Sequence, residues 1–293
     1  MQVFEINNPY YGSIIKRPSV VSKTPYVADI LINDNITCCH TPSLGCCGLA
    51  EAGSNIIMSK LQSGRISEYR AELSVHKEED NTVVVGINPK LSETIAEICL
   101  QNGLINGLEE IYEYGREKTY MNSRFDFAGI DKDEREFIME IKSVPQADYV
   151  DVPKSMKKNY TEYMKQCNFN EKIAYFPDGF RKKLKETEVV SPRALKHIHE
   201  LELLVKFYSK RAILCFMIQR SDVNVFQTSH IDPIYRDAVY KAWINGVEIK
   251  AIQLEWSQDG KCTFVRNDIP IILSDTIGPY MPLKKLKLKK RTI

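Results

Sequence analysis

The hydrophobic period of the chain changes at Pro89, and this change constrains the fold more than any other feature of the sequence. Before Pro89, short segments rich in Val and Ile are broken by Pro, Gly and Asn-Asp, a pattern typical of β-strands. Several short strands at this spacing predict a small barrel, and small barrels of the OB type often bind oligonucleotides. The predicted strands of residues 13–88 are SIIKRPSVV, YVADILI, NITCCH, NIIMSK, RAELSVHK and NTVVVGI.

After Pro89, helical and strand periods alternate. Leu91, Ile95, Ile98 and Cys99 fall at helical spacing. Such alternation predicts an α/β domain, so the whole chain is α/β in class (α+β overall). Its 293 residues suit two domains at roughly 100–200 residues each. The further elements predicted are a short helix over Leu108–Tyr114, strands over Arg124–Ala128 and Glu136–Val144 with a turn at Gly129–Asp133, a helix capped by Ser191, a strand over Arg211–Ile218, a helix over Asp232–Asn245 and a strand over Val247–Trp256.

Charge is concentrated locally rather than globally. The net charge of +2 favours no class of partner, but two segments are strongly basic. Residues 145–190 mix Lys and Arg with Tyr and Phe, a combination that can contact phosphate and stack on bases. The segment Pro282–Ile293 is rich in Lys. For both segments, contact with nucleic acid and simple solvation stay open as interpretations.

The sequence contains no run of ~18–20 apolar residues that could span a membrane, and its N-terminus lacks the apolar core of a signal peptide. We therefore expect an intracellular, cytoplasmic protein without a membrane partner, and the basic C-terminus leaves the nucleus open. Thiols stay reduced there, so the eight cysteines are expected to be mostly free. Cys38, Cys39, His40, Cys46 and Cys47 could hold zinc, but adjacent strand cysteines point to opposite faces, which favours buried small side chains.

The segment SRFDFAGIDKDEREFIMEIKSV, residues 123–144, places charges inside apolar strands. Glu140 and Lys142 are two apart on one predicted strand, so they share a face. Asp126 lies in an apolar stretch of the preceding strand, and the intervening turn would bring it beside Glu140. Burying an unpaired charge is costly, and two neighbouring carboxylates repel each other unless a cation joins them. Mg²⁺ or Mn²⁺, which accept oxygen ligands, would suit this pair.

A divalent ion held by two carboxylates has a defined chemistry. It lowers the pKa of its bound water and draws charge from phosphoryl oxygens. Lys142 beside it could orient the attacking water and stabilise the charge of the transition state. The pattern therefore predicts metal-dependent hydrolysis of phosphodiesters. A structural interpretation stays open, in which Asp126 pairs with Arg124 and Glu140 pairs with Lys142.

The same segment resembles the PD-(D/E)xK nuclease motif, and the whole chain resembles the sugar fermentation stimulation protein (SfsA) family. YMNSRFDF is similar to the family's YGxSRIDF block, and EIKSV to its EVKSV block. HTPSLGCCGLAEAG is similar to CPNTGSMxGLLEPG but departs from it at His40, Pro42 and Leu44. In chain order, the similar blocks cover residues 40–53, 85–88, 120–127, 140–144, 175–179, 196–201, 218–222 and 231–235.

The resemblance implies a two-domain organisation. It implies a nucleic-acid-binding OB-like barrel over residues 1–88, then a restriction-endonuclease-like mixed-sheet α/β domain over residues 89–275. The latter contains a basic insertion near 145–190, and a basic tail over residues 276–293 follows. The stretch between EIKSV and YFPDG is longer than in the family, so no substrate preference transfers across it.

The resemblance also implies roles for particular residues. By position, Asp126 and Glu140 become metal ligands and Lys142 the catalytic lysine. Glu97, on the first helix, becomes the additional acid of the catalytic set, with Glu93 as its rival. Other residues could serve in nucleic-acid binding, with ordinary surface or pairing roles as the alternative: Ser123, Arg124, Lys196 and His197. Asp178 of YFPDG could position the site or form a turn.

The function that follows is a Mg²⁺- or Mn²⁺-dependent nuclease that hydrolyses DNA or RNA. The main alternative is a non-catalytic DNA-binding regulatory protein of the sugar fermentation stimulation type, and a third is an interaction module that kept only the fold. The sequence leaves open the choice of DNA or RNA, the strand type and the oligomeric state.

Overall fold

A computed structural model describes residues 1–43, 48–62, 66–177 and 187–273. The strands are β1 (Gln2–Glu5), β2 (Tyr10–Lys16), β3 (Val27–Ile32), β4 (Asn35–His40), β5 (Asn55–Lys60), β6 (Tyr69–Glu78), β7 (Asn81–Gly86), β8 (Ile111–Tyr120), β9 (Ser123–Asp131), β10 (Glu136–Val144), β11 (Ala147–Asp148), β12 (Lys172–Phe176), β13 (Arg211–Ile218), β14 (Val223–Thr228), β15 (Glu248–Trp256), β16 (Lys261–Arg266) and β17 (Ile271–Ile272). The α-helices are α1 (Pro89–Gln101), α2 (Thr161–Met164), α3 (Pro192–Tyr208) and α4 (Pro233–Ile244).

Five N-terminal strands close into a ring. β2 pairs with β3 and β5, β3 pairs with β4, and β5 pairs with β6, all antiparallel. Parallel pairing of β4 with β6 completes the ring. Its interior is filled by side chains that include Ile14, Ile30, Ile56 and Met58. The predicted OB-like barrel is therefore confirmed, because a closed five-stranded ring of this kind is the OB architecture.

A mixed sheet forms the second half of the molecule. β8, β9 and β10 are an antiparallel meander, and β13 and β15 continue the sheet parallel to β10. Alternating side chains of β10 enter two different cores. Met139 and Ile141 pack with α1 on one face, whereas Ile138 and Val144 pack with α3 and α4 on the other. This confirms the predicted mixed-sheet α/β fold.

The barrel and the mixed sheet share backbone pairing. β7 forms a hairpin with β6 and bridges to β15 through Val84 and Trp256. β1 pairs with β16, so the first strand of the expected 1–88 unit lies outside the ring. Gln219 is central to the junction: its amide donates to the Ser92 hydroxyl (3.0 Å), its side-chain oxygen accepts from Trp256 (3.0 Å), and its carbonyl accepts from the Gly86 N–H (3.0 Å). The barrel, α1 and the central sheet are thereby connected through one residue.

The short helix predicted over Leu108–Tyr114 is wrong, because the chain forms the edge strand β8 there. Its ladder with β9 extends over nearly the whole strand, and this backbone pairing outweighs the weak helix preference of its Glu and Lys residues. The described part of the basic insertion, residues 145–177, also contains regular structure. Within it, β11 and β12 pair with each other, and β12 joins β14 and β17 in a second sheet.

Several expectations fall partly or wholly outside the described residues. Cys38 and Cys39 are buried free thiols of β4, as expected, but Cys46 and Cys47 lie outside, as do Asp178 and the basic tail. Within the described ranges, no three His, Cys, Asp or Glu side chains form a cluster that could hold a metal ion. None of the helices described is long and apolar enough for a membrane crossing.

The junction should not tolerate a side chain at Gly86. A Cβ there would lie 2.2 Å from Gln219 Oε1 and 2.8 Å from Trp256 Nε1, and Gln219 is held by three partners. We expect Gly86→Ala to lower the free energy of unfolding by about 1–3 kcal/mol through overpacking, measured by urea denaturation. Thr82→Ala, at an exposed position of the same strand, should change it by less than about 0.5 kcal/mol. Equal effects of the two variants would contradict this account of the junction.

Candidate metal and nuclease site

Glu140 is a carboxylate inside the protein. It lies on β10 between β9 and β13 and is 3% exposed. Its Oε1 accepts from the Lys142 ammonium and lies 2.5 Å from His197 Nδ1. Burial raises the pKa of Glu140, but Lys142 and His197 together outweigh burial and hold that pKa below its usual value. Glu140 is therefore ionised at neutral pH in spite of its depth.

The two oxygens of Glu140 are used unequally. Oε1 takes both partners, whereas Oε2 is buried and has no hydrogen-bond partner among the described residues. A buried charged oxygen without a partner costs free energy. It is therefore a candidate ligand atom for a cation.

Asp126 lies where β9 separates from β10. The β9–β10 ladder ends at Phe127 and Met139, and beyond it the Asp126 Oδ2 accepts from the Ile141 N–H (2.7 Å) in place of a backbone carbonyl. Burial, and then the negative charge of Glu140, raise the pKa of Asp126 to about 7. The two acids thus lie close enough to interact, as the sequence predicts.

The acid that α1 directs toward this pair is Glu93. Its charge acts on Asp126, and Glu140 in turn acts on it. Burial, the largest influence, raises the pKa of Glu93. Glu97, the expected helix acid, is held one turn further on by Arg116 (2.8 Å) and the Tyr114 hydroxyl (3.1 Å). Arg116 also pairs with Glu93, at the longer distance of 3.7 Å. The charge interactions with Asp126 and Glu140 therefore favour Glu93, and Glu97 is the acid that β8 holds more closely.

The four expected nucleic-acid contacts divide into two groups. Arg124 is exposed and pairs with Glu117 (3.4 Å) rather than with Asp126. Lys196 is about half exposed and donates to the Asn122 carbonyl (2.5 Å). Both can meet a ligand from solvent. Ser123 and His197 are 5% and 3% exposed, so both side chains are buried in this structure and their phosphate contacts stay a prediction.

The position of His197 is the feature that the sequence pattern conceals. It interrupts the buried face of α3, which otherwise includes Ala194, Ile198 and Leu201. The available signal is a polar residue within the apolar stripe, where burial demands a partner. The sequence does not identify that partner as Glu140, because the two residues are 57 positions apart.

The donor set fits a divalent cation. Asp126 and Glu140 offer carboxylate oxygens, which Mg²⁺ and Mn²⁺ accept, and Mg²⁺ commonly uses one or two carboxylates with water completing its shell. A cation would also meet the unpartnered Oε2 of Glu140 and relieve the repulsion that raises the pKa of Asp126. Asp126 and Glu140 are the two side chains that could hold it, and Glu93 is an acid whose charge reaches them.

A family model described as the sugar fermentation stimulation protein RE domain matches residues 90–154 and 146–260 of the chain. The chain belongs to the sugar fermentation stimulation protein (SfsA) family. The matched residues contain α1, the strands that carry Asp126 and Glu140, and the helix that carries His197.

Relatives and solved structures agree with this membership. A sugar fermentation stimulation protein homolog of Shewanella halifaxensis is 30% identical over 59% of this chain and 62% of its own length. The homolog of Desulfotalea psychrophila is 26% identical over 88% of this chain and 92% of its own. The structure of Pyrococcus furiosus SfsA in complex with Ca²⁺ aligns with a TM-score of 0.71 at 19% identity, covering 93% of this chain and 99% of that one, which shows a common fold.

Asp126 should make the stability of the metal-free protein fall as pH rises. Its folded pKa of about 7 exceeds the ~3.9 of an unfolded aspartate, so between these values the unfolded state binds fewer protons and gains relative stability with pH. Asp126→Asn removes this penalty. Its gain in unfolding free energy over wild type should grow by about 2 kcal/mol between about pH 5 and about pH 8, measured by urea denaturation in EDTA.

A control for the loss of a carboxylate is Asp34→Asn, at an exposed turn position. The difference between this variant and wild type should stay nearly constant over the same pH range. A pH-independent effect of Asp126→Asn would contradict the raised pKa of Asp126.

Proposed function

We propose that this member of the SfsA family is a metal-dependent nuclease that hydrolyses phosphodiester bonds of DNA or RNA. The observation that carries the proposal is the juxtaposition of two interacting carboxylates, Asp126 and Glu140, with Lys142 on the same strand. Mutual pairing of Glu140 with Lys142 does not account for an aspartate whose pKa is raised to about 7, and Glu140 Oε2 is in addition left without a partner. Both features are expected where a cation and a phosphate bind.

Different residues of the chain would bind the metal ion and stabilise the transition state. Asp126 and Glu140 would hold Mg²⁺ or Mn²⁺, and Glu93 would lie near enough to bind its water shell. The ion, when bound, supplies an activated water and charge stabilisation for the phosphoryl oxygens. The Lys142 side chain is only 13% exposed, and its ammonium would stabilise negative charge on the attacked phosphate with little competition from solvent.

Phosphate contacts further from the site are best assigned to exposed basic side chains. Arg124 lies at the start of β9, and its partner Glu117 is an exposed carboxylate that a phosphate could replace at low cost. Lys196 lies on the facing helix α3 and is about half exposed, but it donates to the Asn122 carbonyl and also pairs with the buried Glu200 (3.6 Å). The cavity of about 330 Å³ between the barrel and β12 is less suited to phosphate. Two basic residues that line this cavity, Lys172 and Arg220, are buried, and each forms an ion pair with Asp222.

The proposed function also assigns a role to each of three segments of the chain. Residues 1–88 would hold the nucleic acid through the barrel, residues 89–275 would contain the catalytic site, and residues 276–293 would form a basic tail. The solved structure of Pyrococcus furiosus SfsA in complex with Ca²⁺ supports divalent-cation binding as a property to test in this protein.

The central test is cleavage of labelled single- and double-stranded DNA and RNA with Mg²⁺, Mn²⁺ or EDTA. We expect cleavage with a divalent ion and none in EDTA. Lys142→Ala should lower the rate about 100-fold or more, as the loss of one charge-stabilising donor does in other enzymes. Lys132→Ala, at an exposed turn, should retain the wild-type rate.

Absence of cleavage of every substrate would overturn the nuclease proposal. If binding of DNA then persisted without metal, with a salt dependence that Asp126→Ala leaves unchanged, the protein would be a non-catalytic DNA-binding regulator. Absence of nucleic-acid binding as well would leave an interaction module that kept only the fold.

The two acids of α1 provide a matched comparison. Glu93→Gln should lower the cleavage rate at limiting Mg²⁺ about tenfold or more, because a group near a metal site commonly contributes this much. Glu97→Gln should have a smaller effect, because Arg116 holds Glu97 (2.8 Å) more closely than it holds Glu93 (3.7 Å), and the Tyr114 hydroxyl also donates to Glu97. Rates over a range of Mg²⁺ concentrations measure both effects. A larger loss in Glu97→Gln than in Glu93→Gln would reverse the assignment.

A further inference from the structure

His197 occupies a position where a helix normally buries an apolar side chain. The neighbouring members of its stripe, Ala194, Ile198 and Leu201, belong to the core between α3 and the mixed sheet. His197 is itself 3% exposed. A buried imidazole costs free energy unless its polar atoms are bonded, and here Nδ1 lies 2.5 Å from Glu140 Oε1.

The imidazole ring is held by packing as well as by this contact. The Phe125 ring lies 5.6 Å from it, centroid to centroid, at an interplanar angle of 54°. The helix that carries His197 is fixed at its start by the Ser191 cap, whose hydroxyl accepts from the Ala194 N–H (3.2 Å). The ring therefore meets Glu140 from a rigid element, and its burial keeps it from direct contact with a nucleic acid.

Lys142 and His197 share one oxygen of Glu140 but differ in what else they can do. Lys142 is partly exposed at the end of a flexible stem and, under the proposed function, must turn its ammonium to the phosphate. If Lys142 were the only partner, Glu140 would then lose the hydrogen bond that offsets its burial. His197 has no such second task, because it is enclosed.

We propose that His197 is a positioning residue for Glu140. It donates its Nδ1 proton to Oε1, keeps the carboxylate oriented when Lys142 turns to the substrate, and leaves Oε2 as the atom that meets a divalent cation. The inference rests on the proposed function for the role of the cation, but the hydrogen bond itself is independent of it. Partners of this kind fix the orientation of metal-binding side chains, and their loss commonly costs 10–100-fold in metal affinity or activity.

Titration of the full-length protein with Mn²⁺ by calorimetry tests the role toward the cation. His197→Ala should weaken Mn²⁺ binding about tenfold or more. His197→Asn should restore most of the affinity, because its amide nitrogen occupies nearly the place of Nδ1. His199→Ala, on the same helix but exposed, serves as the control and should bind like wild type. Thermal unfolding of each variant separates a loss of affinity from a loss of folding.

A second readout needs neither metal nor substrate. Histidine ring nitrogens can be labelled with ¹⁵N, and the signal of His197 among the five histidines is assigned by its absence from His197→Asn. We expect a proton on Nδ1 in the metal-free protein. A ring that carries no proton on Nδ1 would overturn the proposal, since it could not donate to Glu140.

The outcomes distinguish this inference from the proposed function. Mn²⁺ binding that His197→Ala leaves unchanged would overturn the positioning role alone. Absence of Mn²⁺ binding by the wild-type protein would overturn both the metal-dependent function and the role toward the cation. Weaker Mn²⁺ binding in His197→Ala with rescue by His197→Asn would support the positioning role even if no nucleic acid were cleaved.

Discussion

The ionised carboxylate of Glu140, placed in the middle of a central strand, is the constraint on which the rest of the site depends. It is 3% exposed, and a buried charge persists only where partners compensate its lost hydration. Lys142 comes from the same strand and His197 from α3, so two separate elements must be packed correctly before the charge is tolerated. The negative charge of Glu140 then acts on Asp126 and helps to raise its pKa to about 7. Burial and this one charge thus act together on the protonation of Asp126.

The junction between barrel and sheet extends this constraint to α1. Gln219 follows β13 and donates to Ser92, the residue beside Glu93. The backbone carbonyl of Gln219 accepts from Gly86 of β7, and its side-chain oxygen accepts from Trp256 of β15. The position of Glu93 relative to the two carboxylates therefore depends on a contact that also attaches the barrel. Any nucleic acid held by the barrel would be placed by the same junction that places the helix acid.

Hydrophobic periodicity is sufficient to predict the barrel strands and the helices α1, α3 and α4, because these depend on local spacing. It also predicts the juxtaposition of Asp126 with Glu140, because one short turn joins their strands. It was insufficient at three places, each for a physical reason. β8 is stabilised by backbone pairing at a sheet edge rather than by its side chains. Glu93 and Glu97 lie one turn apart on the same side of α1. Helical periodicity therefore places both on one face but does not tell which of the two turns lies beside Asp126 and Glu140. His197 looks like a surface residue until α3 is packed against β10.

The two carboxylates of the site are unequal, and this inequality has a chemical consequence. Glu140 has Lys142 and His197 to support its charge, so its pKa is lowered, whereas Asp126 has burial and a negative neighbour, so its pKa is raised. Near neutral pH and without a cation, Glu140 is ionised, whereas Asp126 is present in both its protonated and its ionised form. A divalent ion would favour the ionised form of Asp126, so binding should release protons at that pH. A bound cation should therefore stabilise this site more than it would stabilise two solvated carboxylates, because it removes the electrostatic repulsion between Asp126 and Glu140.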